Sequence, residues 1–231
     1  MKKTTIYINS EVDRLAFLEY EKMRRALMKR EQQQKLRELK KALPLIIKEK
    51  IKKYKFKKNA YMVWFEKNDL FYDMHIHIGV LGTDENILLC GTRERIKPMW
   101  LDDLLWDLLN MPSNKDEPKS LRAIGAFTVS GVEYYTQSYR IDNWSYVEVE
   151  ACVEKCMEEF YKHIQMMTIN VFYALSDNPS YHDELRKTLI LIHDEKYEEA
   201  IASLNDDWGG GFRNNGIWIN DAIKAYCTSK L

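Results

Sequence analysis

Asp73, His75 and His77 occupy alternate positions of a stretch with period-two patterning. A strand there sets one carboxylate and two imidazoles on one face and Tyr72, Met74, Ile76 and Ile78 on the other. Two imidazoles at this spacing are the beginning of a divalent-metal set of the kind used in metal-assisted hydrolysis or oxygen chemistry. Nothing else in the chain completes the shell, so the sequence assigns no metal, and a polar sheet face with hydrogen-bonded histidines is the expectation. Arg93 and Arg95 share one face of the next strand. If the two strands pair, two guanidiniums lie beside two imidazoles, an arrangement suited to a phosphate or carboxylate.

Cys152, Cys156 and His163 fall on one helical face. A zinc site draws ligands from more than one element, so Cys90 or Cys227 would have to arrive by folding; small apolar thiols in a buried stripe are the expectation. Trp208–Gly216 is the one glycine-rich loop, and with Arg213 it can cradle an anion at the start of the last helix. It lacks the Gly-Lys-Ser/Thr ending of a P-loop. A connection packed by Trp208, Phe212 and Trp218 is the simpler reading. No catalytic residue and no cofactor is assigned.

Charge separates the chain into two parts. Residues 1–60 hold nineteen Lys and Arg against seven Asp and Glu, and the other 171 residues hold sixteen against twenty-eight, so a net charge of zero conceals +12 and −12. Lys22, Arg24, Arg25, Lys29, Arg30, Arg37, Lys40, Lys41, Lys52 and Lys53 are the cations available to a partner. The leading expectation is a non-catalytic interaction or regulatory protein that binds a charged protein partner, or a second copy of itself, through a basic helical arm. One alternative is phosphate-backbone contact to nucleic acid through residues 22–58, without the aromatic interleaving of single-strand binders. A second is an enzyme using the His75/His77/Arg93/Arg95 face. No window of eighteen apolar residues exists, so no membrane span is expected. Met1-Lys2-Lys3 runs into a strand-like stretch instead of an apolar leader, which with four cysteines read as reduced points to the cytoplasm.

The elements that must position these groups predict an α+β protein: a meander of about five antiparallel strands flanked by helices, with a basic arm and a helical C-terminal region. Thr4–Ile8 reads as a short strand, and Ser10 with Asp13 starts a helix that Pro44 ends; a second helix follows to Tyr54. Strands are expected over Tyr61–Glu66, Leu70–Leu81, Ile87–Ile96, Leu121–Thr128 and Val132–Ile141. Helices are expected from Pro98 to about Asn110, from Asn143 to Met167, over Pro179–His193 and Asp194–Leu204, and from Asn220 onward. The carboxylates Glu148, Glu150, Glu154, Glu158 and Glu159 make the Asn143–Met167 helix the acidic counterpart of the basic one. Residues 1–42 are expected to form the arm, 43–168 the sheet with its helices, and 169–231 a helical region on the same domain.

Two resemblances accompany this reading. Lys3-Thr4-Thr5-Ile6-Tyr7-Ile8 followed by a capped helix is similar to the start of ribbon-helix-helix proteins, which implies a strand paired across a dimer in a DNA major groove. The likeness covers about twenty residues, and no glycine turn follows between Glu19 and Lys41. The order of helix, "FKKNAYMVWFEKNDLFYDMHI" strands, "WLDDLLWDLL" helix, "SLRAIGAF" strand and further helices resembles uncharacterised bacterial α+β domain families over residues 43–205, which implies a fold type alone.

Overall fold

The computed structural model describes residues 11–81, 84–178, 183–204 and 212–231, without the side chains of 11–14, 16 and 84–86. The Thr4–Ile8 strand and the Ser10 cap therefore lie outside the described residues. The described residues begin with one long helix, α1 (Glu11–Tyr54), and continue through β1 (Lys57–Asn59), β2 (Met62–Lys67), β3 (Leu70–Leu81) and β4 (Asp84–Pro98). Next come α2 (Trp100–Leu108), a single turn α3 (Leu121–Ile124), β5 (Val132–Ile141) and α4 (Tyr146–Met166). The end of the chain forms α5 (Ile169–Ser176), α6 (Glu184–His193), α7 (Tyr197–Ala202), a two-residue hairpin β6 (Arg213–Asn214) and β7 (Ile217–Trp218), and α8 (Ile219–Thr228). No helix among the described residues is long and apolar enough to cross a membrane.

Pro44 does not end the first helix. A proline leaves the carbonyl four residues back without its amide donor, and here the Tyr61 hydroxyl donates to Lys40 O at 3.2 Å in its place. The apolar stripe also runs through the proline: Leu39, Leu43, Ile46 and Ile47 are all buried. The helix ends at Lys55, whose φ of 58° lets Phe56 N close a bond to Ile51 O at 3.3 Å, the left-handed stop that usually uses glycine.

The sheet has the sequential order β1-β2-β3-β4-β5, antiparallel throughout. Asn68 and Asp69, both with positive φ, make the two-residue turn between β2 and β3. Tyr72, Met74, Ile76 and Ile78 are buried on one face with Val63, Leu88, Cys90 and Ile96. That face is covered by α1, α4 and α5, while α2 packs against α6 and α8 at the end of the sheet. The acidic α4 does meet the basic α1: Lys50 Nζ lies 2.9 Å from Glu150 and 3.3 Å from Glu154, and Lys53 lies 3.1 Å from Glu154.

The expected strand over Leu121–Thr128 is instead the α3 turn followed by an irregular segment. Polar capture overrides the β-like alternation. Arg122, fully inside, donates to Met99 O and to Asp103 at 2.6 Å each, and Thr128 Oγ1 donates to Asp102 at 2.9 Å. Asp102 Oδ2 stands 2.8 Å from the buried Lys97 Nζ, and that ammonium also donates to Thr128 Oγ1 and Val129 O at 2.7 Å. Lys97 thus uses all three donors inside the protein. In the C-terminal region α5 was not anticipated, Glu195 at φ 61° closes α6 so that α7 begins at Tyr197, and residues 179–182 lie outside the described set.

Replacing Asp102 with Ala leaves Lys97 and Arg122 buried without their shared counter-charge. The expected loss of stability by chemical denaturation is about 3–5 kcal/mol. A loss under about 1 kcal/mol, the scale of an exposed pair, contradicts the assignment.

Candidate functional site

The register brings the polar sheet face together as the alternation implies. His75 is the direct partner of Arg93, Asp73 of Arg95, and His77 of Gly91. The two imidazoles lie nearly parallel with centroids 6.0 Å apart, and the His77 ring occupies the space that a side chain at Gly91 would fill, 2.6 Å from where its Cβ would stand. Arg95 is committed: its guanidinium donates twice to Asp73 Oδ1, at 2.8 and 2.6 Å. Arg93 is exposed and leans on Glu133 at 3.7 Å. Partial burial pushes both imidazoles below their ordinary value, helped at His75 by His77 and the two arginines and at His77 by Arg93, which keeps them neutral near pH 7. The face therefore carries the internal Arg95–Asp73 pair, the exposed and loosely paired Arg93–Glu133, and two neutral imidazoles.

Arg213 is not part of this face. It sits on the β6–β7 hairpin with its guanidinium 4.9 Å above the Trp218 ring, and the hairpin is tied to the end of α2 by Asn214 Nδ2 donating to Leu109 O at 2.9 Å. Trp208 and Gly209–Gly211 lie outside the described residues.

The basic cations divide by position along α1. Lys22, Arg24, Arg25, Lys29, Arg30, Arg37, Lys40, Lys41, Lys52 and Lys53 are all exposed, but Lys53 and its neighbour Lys50 are engaged by α4. Met28, Gln32, Gln33 and Leu36 line shallow grooves with Trp144 and Val80. N-terminal to Met28 the helix leaves the body. There Tyr20, Met23 and Leu27 are 57, 66 and 57% exposed, at the 3-then-4 spacing of a helical seam.

A third cluster was only partly visible in the sequence. On β4 the core-facing phase reads Leu88, Cys90, Thr92, Glu94 and Ile96, so two polar residues point into the interior. Facing them on α4 are Cys152, Cys156, Glu159 and His163. The sulfurs of Cys90, Cys152 and Cys156 lie within 4.8 Å of one another, all buried. His163 Nδ1 is 2.8 Å from Glu94 Oε2, and Glu159 meets Gln137 and Tyr139 from β5. Thr92 Oγ1, Glu94 Oε1 and the Tyr134 hydroxyl are buried without a hydrogen-bond partner of normal geometry. Burial, reinforced by the Glu94 carboxylate, pushes the Tyr134 phenol up. The sequence signal for Glu94 was present, a carboxylate in phase with the apolar side of a strand; Cys90 gave none, because its approach to α4 is set by packing.

Burial holds the Glu94 carboxyl above its ordinary 4.5, against the opposing pull of His163. Its contribution to stability is fully present below that value and is lost as the pH rises through the raised one. Glu94→Gln keeps the shape and removes the titration. The stability of the wild type relative to this variant is therefore expected to fall from about pH 4.5 toward neutrality, read by chemical denaturation across pH; a relative stability that climbs with pH contradicts it.

Compared with protein-family models, with curated proteins and with solved structures, the chain matches none.

Proposed function

We propose that the protein is a non-catalytic interaction module whose binding element is the projecting part of α1, and that the charged partner this arm fits is the arm of a second copy. The observation that carries the reading is the exposed Tyr20–Met23–Leu27 seam, which no described part of the chain covers. Apolar groups of this size at helical spacing gain most of their burial from a facing helix. Ala16 extends the spacing to 4-3-4 in the sequence, and the seam is then symmetric about the point between Glu21 and Lys22. An antiparallel partner sets Tyr20 against Met23.

Charge follows the same symmetry. Residues 11–21 carry Glu11, Asp13, Glu19 and Glu21 with one Arg14, and residues 22–30 carry Lys22, Arg24, Arg25, Lys29 and Arg30 with no acid. Antiparallel arms place the acidic stretch of one beside the basic stretch of the other, whereas parallel arms stack like on like. Phosphate-backbone contact is the second reading, supported by the same five cations with Arg37, Lys40 and Lys41. Lys50 and Lys53, part of the run it would use, are already held by Glu150 and Glu154.

Sedimentation equilibrium of the full chain is expected to show a concentration-dependent dimer. Met23→Glu with Leu27→Glu is expected to make it monomeric while changing the melting temperature little, since both residues lie outside the core. A wild type that stays monomeric, or a variant that still dimerises, contradicts the proposal. If the arm serves nucleic acid instead, affinity for duplex DNA falls linearly in log–log form with salt, with a slope of about −0.9 per neutralised phosphate.

A further inference from the structure

We propose that Cys90, Cys152 and Cys156 form a binding site for one thiophilic d10 metal ion, zinc(II), with a fourth ligand that is not supplied by a described side chain. Two successive turns of α4 and the middle of β4 deliver three thiols into one buried place, with sulfurs no more than 4.8 Å apart. Tetrahedral zinc with Zn–S of about 2.3 Å sets its sulfurs about 3.8 Å apart. Closing the present triangle takes a shift of about 1 Å or less, within the reach of small side-chain rotations. The ligand type selects the ion: thiolates favour zinc and other soft metals over magnesium or calcium.

Three features separate this cluster from ordinary apolar packing. All four cysteines are free, so no disulfide accounts for the approach, and Cys227 is not part of the group. The next core-facing residue along β4 is Thr92, fully buried and with its Oγ1 lacking a hydrogen-bond partner, so an unpaired polar atom lies on the same strand face as Cys90. The Lys155 ammonium, 4.2 Å above the Tyr139 ring, offsets the single negative charge left by three thiolates on zinc(II). Binding of the metal displaces the thiol protons to solvent.

The test is a titration of the reduced full-length chain with cadmium(II) as an optical stand-in for zinc(II). Thiolate-to-metal absorption is expected to saturate at one equivalent, to be reversed by zinc(II), to vanish in Cys152→Ser and to persist in Cys227→Ser. Saturation at another stoichiometry, or a band that survives Cys152→Ser or is lost in Cys227→Ser, overturns the site. One equivalent of zinc(II) is also expected to raise the melting temperature of the wild type by mass action. An unchanged melting temperature overturns the proposal whether or not the variants fold.

Discussion

A buried ammonium must be given a counter-charge and have its protons accepted, and Lys97 is the group around which this fold arranges itself. Leaving such a charge unpaired costs several kcal/mol, more than any one apolar contact returns. The Asp102 carboxylate meets it from α2, while Thr128 and Val129 come from the segment before β5. Val129 N completes the set by donating to Asp102 at 2.9 Å. Arg122 enters the same group at 3.5 Å from Asp102 and lies 4.7 Å over the Trp106 ring. The end of β4, the start of α2 and the approach to β5 are thereby fixed to one another.

The two faces of β4 follow from that anchor. With Lys97 on one side, strand alternation places Arg95 and Arg93 with it and sends Ile96, Glu94, Thr92 and Cys90 to the other. The first set makes the polar face, where Asp73 absorbs Arg95 and leaves Arg93 beside two neutral histidines. The second set faces α4, and that helix supplies thiols and an imidazole at matching heights. A bulge between Glu94 and Arg95 is the one irregularity in the β4–β5 pairing. It lies beside Tyr134, whose hydroxyl it leaves in the interior.

Much of this was legible because it depends on local pattern. Val132–Ile141 and Leu70–Leu81 read as strands from alternation alone. The helix expected from Asn143 is α4, and its start is capped by Ser145, which accepts from Glu148 N at 3.2 Å while the Glu148 carboxylate accepts from Asn143 N. What could not be read depends on distant partners. Pro44 stays helical because Tyr61, seventeen positions on, repairs the lost bond. Leu121–Thr128 alternates like a strand, yet its polar atoms are claimed by Asp102 and Lys97. The Cys152/Cys156 pair was visible as a helical stripe, but Cys90 joins it only through the packing of α4 on β4, and the pairing of Asp73 with Arg95 needed the register.

The central claim is that the chain is a body locked by buried charge from which the first half of α1 projects, to be covered by a second copy. Hydrogen–deuterium exchange followed over a range of protein concentration measures this most directly, because protection reports local opening free energy. The account predicts strong protection of β3, β4 and α4 at every concentration, and fast exchange of residues 15–27 at low concentration that slows as concentration rises. Residues 15–27 protected as strongly as β4 at the lowest concentration, or exchanging at a rate independent of concentration, would contradict it.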